Sequence, residues 1–410
     1  MLSGLLGAGH LASMEQLPGL VAEHAAVAGL QDVRVYVADL RQQMLRELTG
    51  RGVNAGQDGD ELSIETTLPG RAFRLTRTMA EPGSVAGLQR HWVPVLDGTQ
   101  RLGVLRVDVP DAEALEAARH LASLVGLHLV SKRSFSDSHA RLVRSEPMNI
   151  VAEMQWALMP PRTFANGQIV VCAEMEPAYR VGGDAFDYAL AGDVLHLAVF
   201  DAMGHDTAAG LTANLAMAAC RNQRRHDAGL VAMSEGIDQV LIEQFAHTRY
   251  ATGVLADLSL STGRLTWVNR GHPPPVLIRG NRSVTMCVCS PSHPMGTGLG
   301  LPVNLCHAHL QPGDRLLLYT DGVTEARDAK GQEFGLDRFT EFIIRQQAED
   351  LPVPETLRRL MHAVLNHHRG RLQDDATVLI CEWHGPYPVP GAESRVIGGA
   401  SHNPRGPEIS

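Results

Sequence analysis

Aspartates recur at the ends of apolar runs in the second half of the chain. Val194-Leu-His-Leu-Ala-Val-Phe200 reads as a buried strand, and Asp201 stands at its end, before Ala202-Met-Gly-His205. Asp321 follows Arg315-Leu-Leu-Leu-Tyr-Thr320 and precedes Gly322, Asp374-Asp375 precede Ala376-Thr-Val-Leu-Ile-Cys381, and Asp184 follows Gly182-Gly183. Strand ends are places where side chains from separate strands converge, and converging carboxylates without cations repel one another. Hard divalent cations such as Mg²⁺ or Mn²⁺ prefer oxygen ligands and remove that cost. Two such ions roughly 3.5–4 Å apart can activate a bridging water and clamp a phosphoryl group for in-line attack. Taken singly, each aspartate also has a structural reading. Asp321 and Asp374 suit turns, and Asp201 suits a helix N-cap, although a helix beginning near Thr207 starts several residues too late for it. The joint pattern favours the metal reading.

The bulk numbers set the frame. A chain of 410 residues is long enough for two or three domains. Hydrophobic content of 44% with 20% charged residues is ordinary globular composition. A formal net charge of −9 argues against general nucleic-acid binding, which needs a basic face. No apolar run approaches the length of a membrane span, and the opening Met-Leu-Ser-Gly-Leu-Leu-Gly lacks the basic start of a secretory signal. Six cysteines are sparse, and Cys287-x-Cys289 has no second pair at zinc-ligand spacing. Reduced thiols and a cytoplasmic location are the expectation.

Residues 1–112 read as one opening helix followed by strands and turns. Asp32–Ala38 and Leu62–Leu68 alternate in the manner of half-buried strands. His91–Val109 reads as two strands joined by Asp97-Gly98, a strong hairpin signal. This pattern resembles a small α/β sensor of the GAF type. Over 113–161 two stripes at helical spacing, Leu121, Leu124, Val125, His128 and Leu129, then Ile150, Met154 and Leu158, predict a helical connector ending at Pro160-Pro161; each stripe could instead pack on its own domain. From 162 to 384 many strands alternate with long helices at 207–225, 337–347 and 354–368. The Pro-, Gly- and Ser-rich residues 385–410 read as a disordered tail.

Residues 162–384 resemble the metal-dependent type-2C protein phosphatases, the PPM superfamily. The resemblance is to the bacterial branch that includes the stage II sporulation and stress-response phosphatases. It is carried, in the family's order, by Val181-Gly-Gly-Asp184 with Asp187, Asp201-Ala-Met-Gly-His205, Asn269-Arg-Gly-His-Pro-Pro-Pro275, Tyr319-Thr-Asp-Gly-Val-Thr-Glu-Ala326 and Asp374-Asp-Ala-Thr377. The helix Ala152–Pro161 is similar to the one that leads into this domain in that branch. The resemblance implies an α+β chain whose C-terminal domain is an α-β-β-α sandwich. It implies two Mn²⁺ or Mg²⁺ ions, with Asp201 bridging them, the Ala202 carbonyl ligating one, Asp321 and Asp374 holding the second, and Asp184 supporting the first directly or through water. It implies attack of a metal-activated water on a phosphoserine or phosphothreonine, with Arg180 as the candidate phosphate contact and His205 as a candidate proton donor to the leaving oxygen. Tyr179 stands where relatives often place the base, and Ala202 replaces a glycine found in many of them.

The implied substrate is a phosphorylated anti-sigma-factor antagonist of the STAS type, with the N-terminal sensor as regulator and a homodimer formed through the connector helices. Two competing readings are a non-catalytic signalling protein built on the same fold and a ligand receptor in which the phosphatase domain is secondary. Gly296–Gly300 and Gly4–Gly9 lack the strand-loop-helix context of a dinucleotide site. His272, before three prolines, reads as a loop-shaping residue. No reactive-cysteine, serine-triad or kinase signature is present.

Overall fold

The computed structural model describes residues 1–387 except 86, 181, 281, 349–350, 369–371 and 373; the tail expected at 385–410 therefore lies outside the described residues from 388 onward. Two compact units divide between Glu146 and Pro147. Among the described residues no helix is long and apolar enough to cross a membrane.

The first unit opens with two helices rather than one, α1 (Leu2–Gly9) and α2 (Leu17–Ala26). β1 (Gln31–Ala38), β2 (Met44–Glu47), β3 (Glu61–Ser63), α3 (Leu68–Leu75), β4 (Met79–Val85), β5 (Leu88–Asp97), β6 (Gln100–Val109), α4 (Ala112–Arg133) and α5 (Asp137–Val143) follow. The strands form one antiparallel sheet in the order β3-β2-β1-β6-β5-β4, with the β5–β6 hairpin turning at Gly98. The expected strand at Leu62–Leu68 ends early. Thr67 caps α3 by accepting from the Gly70 amide, and Pro69 sits in the first helical turn, so capping chemistry overrides the alternation. Helices α2 and α4 share a core with one sheet face, through Val21, Ala25, Leu121 and Val125, whereas Phe73 of α3 packs with Tyr36 and Trp92 in a second cluster.

The segment 113–161 is thus split: α4 contributes Ala118, Leu121 and Val125 to the first unit's core, whereas α6 (Ile150–Leu158) belongs to the second. On α6 the residues Val151, Ala152 and Gln155 are buried, and Ile150 and Leu158 of the sequence stripe face outward.

The second unit continues with β7 (Thr163–Ala165), β8 (Ile169–Glu176), β9 (Asp184–Ala191), β10 (Val194–Ala202), α7 (Thr207–Arg225), α8 (Leu230–Phe245), β11 (Ala251–Ser259) and β12 (Arg264–Arg270). It ends with β13 (Val276–Arg279), β14 (Ser283–Met286), β15 (Cys306–His309), β16 (Arg315–Tyr319), α9 (Asp321–Thr324), α10 (Leu336–Ala348), α11 (Val353–His367) and β17 (Ala376–Trp383). Helix α8 is an element the sequence analysis does not single out. Two antiparallel sheets, β15-β12-β11-β10-β9 and β14-β13-β16-β17-β8-β7, face one another. Leu195, Leu197, Val254, Leu316, Leu318, Leu379 and Cys381 fill the space between them. Helices α7 and α8 cover the first sheet and α11 covers the second. This is an α-β-β-α sandwich. Strands β16 and β17 are buried at nearly every position because both of their faces are covered.

Cys172, Cys220, Cys287 and Cys381 are free and buried. The expectation of six reduced thiols is corrected at one pair: the chain returning into β15 brings Cys306 to Cys289, their Cα atoms 6.0 Å apart, as a disulfide.

Candidate metal centre

Register brings the first carboxylates together. Across β9 and β10 Asp184 pairs with Asp201, and across β10 and β11 Asp201 pairs with Thr252. Like charges directly opposite one another in a sheet are destabilising, so this pair is a departure from stability-driven sequence choice. Helix α7 does not use Asp201 as its cap. Asp206 takes that role, accepting from the Ala209 amide at 2.8 Å, and pairs with Arg249, which also donates to the Met203 carbonyl. Asp201 is left free of capping duty, and among the described residues nothing donates a hydrogen bond to its carboxylate.

The other sheet closes on this pair. Thr320, just after β16, and Thr377, on β17, both donate to Oδ2 of Asp184, at 2.7 and 2.6 Å. Asp375 accepts from the backbone amides of Gly182 and Asp184, at 2.7 and 3.3 Å. Close backbone approach explains the glycines. A Cβ at Gly183 would lie 2.4 Å from the Ala202 carbonyl oxygen, and one at Gly322 would lie 1.9 Å from the Asp375 carbonyl oxygen. The Asp321-Gly322 turn is in this way seated on the Asp374-Asp375 turn.

Electrostatics report the crowding. Burial, followed by the Asp321, Asp374 and Asp375 charges, pushes Asp201 up to about 7. Burial, with Asp375 and Asp201 next, holds Asp184 well above the usual carboxylate range. Burial likewise raises Asp375 to about 6, and burial with Glu325 and Asp374 raises Asp321. Among the described residues no Lys or Arg forms an ion pair with any of these acids. The donor set is all oxygen, which suits a hard divalent cation. Among the described residues no three His, Cys, Asp or Glu side chains surround a single point. Asp184 Oδ2 is bonded to two threonines, Asp375 Oδ2 to two amides and Asp374 Oδ1 to the Asp375 amide, whereas no hydrogen bond reaches the Asp201 carboxylate among the described residues. The all-oxygen chemistry of these strand ends, rather than a closed cage of side chains, is what would suit such an ion.

Other expected residues fall at varying distances from this role. His205 is exposed, its backbone lying under Gly182, where a Cβ would come 2.8 Å from the His205 Cα. Arg180 is exposed, and no bond joins its guanidinium to the acids among the described residues. Asp187 is not part of the cluster; it pairs with Arg221 and Arg224 of α7. His272 is buried, with Nδ1 2.8 Å from Thr252 Oγ1 and Nε2 3.0 Å from the Tyr319 carbonyl oxygen. Burial lowers its pKa to about 4, so the ring is neutral.

Four participants are absent from the sequence-based set: Asp375, Thr320, Thr377 and Gln155. The first three flank or adjoin the chosen aspartates in the same short strings. Gln155 sits on α6, fully buried, and its side-chain amide donates to the carbonyl oxygens of Asp184 at 2.6 Å and Gly182 at 3.3 Å. Nothing in its local sequence distinguishes it from a surface glutamine.

Residues 191–384 match the family described as stage II sporulation protein E (SpoIIE). Asp201, Asp321 and Asp374 fall inside that stretch, and Asp184 precedes it. Protein IcfG of Synechocystis sp. is 25% identical over 143 residues, covering 35% of this chain and 22% of that protein. The phosphoserine phosphatase RsbU of Bacillus subtilis is 19% identical over 240 residues, covering 58% of this chain and 70% of RsbU. The solved RsbU and RsbW domains of a Mycobacterium tuberculosis protein align at 26% identity with a TM-score of 0.48, over 56% of this chain and 63% of that one. The chain thus spans less than a quarter of IcfG and less than two thirds of the mycobacterial chain.

Proposed function

We propose, from a domain at residues 191–384 that belongs to the stage II sporulation protein E family, that this chain is a metal-dependent protein serine/threonine phosphatase. The observation that carries the reading is the Asp201 carboxylate. It is half-buried and has no protein donor and no cationic partner among the described residues, and burial, followed by the charges of three other aspartates, raises its pKa to about 7. A half-buried, unpaired carboxylate beside three others is retained at such cost when a cation completes it.

Two Mn²⁺ or Mg²⁺ ions would supply an activated water and neutralise a phosphoryl group. Asp201, Asp321, Asp374 and the Ala202 carbonyl would hold them. Asp184, fixed by Thr320 and Thr377, would support the first ion directly or through water, beside the Ala202 amide bond to the Gly183 carbonyl. His205, exposed just after the Asp201 turn, would give a proton to a departing serine oxygen, and exposed Arg180 would meet the phosphoprotein. The substrate reading is a phosphorylated anti-sigma-factor antagonist of the STAS type. The domain reading is a GAF-like sensor at 1–112 acting through the helices of 113–161 on a phosphatase domain at 162–384. Ile150, 74% exposed, and Leu158, 40% exposed, support a homodimer through α6.

Hydrolysis of an aryl phosphate by the full chain tests the activity. It is expected to require Mn²⁺ or Mg²⁺ and to stop with chelator; full turnover in metal-free buffer would remove the metal reading.

A further inference from the structure

We propose that His272 is a positioning residue that braces β11, the strand paired with Asp201, to the strand end carrying Asp321, and so sets the separation at which those carboxylates meet metal. The proposal rests on the metal-dependent reading above. His272 lies in the crossover from β12, in one sheet, to β13, in the other. The apolar core between the sheets is non-directional and leaves their relative slide to be fixed by directional bonds.

His272 supplies two of these. The Tyr319 carbonyl can only accept, so Nε2 carries the hydrogen and donates to it at 3.0 Å; Nδ1 then accepts from the Thr252 hydroxyl at 2.8 Å. The hydroxyl's alternative acceptor, the Asp201 carbonyl, is farther, at 3.4 Å. Thr252 is the register partner of Asp201, and Tyr319 stands two residues before Asp321. The imidazole is itself held, because Asn269 closes the turn with two 2.8 Å bonds to the His272 backbone. One ring therefore links the end of β16, which runs into Asp321, to β11, whose Thr252 sits opposite Asp201 of β10.

Two substitutions each keep half of the brace. His272→Asn can still accept from Thr252, and His272→Gln can still donate to Tyr319; Thr252→Val removes the hydroxyl without changing volume. Calorimetric titration of the full chain with Mn²⁺ is expected to show each single variant weakened about tenfold or more. Turnover of an aryl phosphate is expected to fall through kcat more than through KM. Thr252→Val combined with His272→Gln is expected to be no weaker than His272→Gln alone, because both cut the same link. Mn²⁺ affinity within about twofold of the unmodified chain in all three single variants, with or without a lowered melting temperature, would assign His272 to folding alone and overturn the brace. Absence of Mn²⁺ binding by the unmodified chain would overturn the metal reading itself, and the brace with it.

Discussion

The side-chain amide of Gln155 donates to the backbone carbonyl of Asp184 at 2.6 Å, tying helix α6 directly to the strand that begins the acidic cluster. The same helix presses Val151 against α7 at Gly210, where a Cβ would come 2.0 Å from Val151 Cγ1. Helix α6 therefore touches both limbs that flank Asp201: β9 through Gln155, and the helix that follows the Asp201 turn through Val151.

Replacing Gln155 tests that link. Gln155→Met keeps the volume and leaves two buried carbonyls without their donor, a cost of about 1–3 kcal/mol. Gln155→Glu sets a second acceptor against those carbonyls and is expected to cost more. Urea denaturation should rank the chains unmodified, Met, then Glu, with metal-stimulated turnover falling in the same order. Equal stability of all three would show the amide bonds to be idle.

The outward face of α6 is a separate matter. Met154→Asp places a charge between exposed Ile150 and Leu158 without touching any proposed ligand. If α6 joins two copies, light scattering should report a change of mass in solution; an unchanged mass with unchanged kinetics would leave the helix with its inward role alone.

Stability against pH should carry the signature of the raised carboxylates. Between the ordinary value of 3.8 and about 7, folded Asp201 holds a proton that the unfolded chain has released, so its contribution to stability is lost as pH rises through that window. Asn has no charge to bury. In chelator, Asp201→Asn is expected to melt above the unmodified chain at about pH 8, with the gap closing as pH falls below about 6. Asp184, which the Asp201 charge helps to raise, titrates lower once Asp201 is replaced and widens the same difference. A gap independent of pH would show that Asp201 is not strained by its neighbours.

Backbone closeness gives a sharper steric test. Gly322→Ala would set a Cβ 1.9 Å from the Asp375 carbonyl oxygen, and neither backbone can yield without moving Asp321 or Asp374. The variant is expected to lose more than about 90% of its turnover, over about 1.4 kcal/mol of transition-state stabilisation, while circular dichroism retains the sheet signal. Near-normal turnover would separate the Asp321 turn from the site.

The strands and the strand-end aspartates are legible in the sequence because both follow from local pattern, whereas the sandwich is legible through the family resemblance. An apolar run covered on two faces reads as a strand, and several carboxylates recurring at such ends outweigh the turn or cap that each could serve singly. What escapes is whatever long-range register decides. Asp375 differs from Asp374 only in which way it points at the start of β17, and Thr320 and Thr377 matter because two strands of one sheet meet an aspartate of the other. Asp206 rather than Asp201 caps α7 because the cap must immediately precede the first helical turn. In the first unit, Thr67 and Pro69 turn an alternating stretch into a helix start, a capping signal outweighing a periodic one.

Phosphate release from a phosphoserine protein, measured for the full chain with and without Mn²⁺ and beside Asp201→Asn, tests the central claim most directly. The account predicts release that depends on Mn²⁺ in the unmodified chain and is abolished in Asp201→Asn, with the variant still folded. Release that persists without metal, or a variant keeping more than roughly a tenth of the activity, would contradict it.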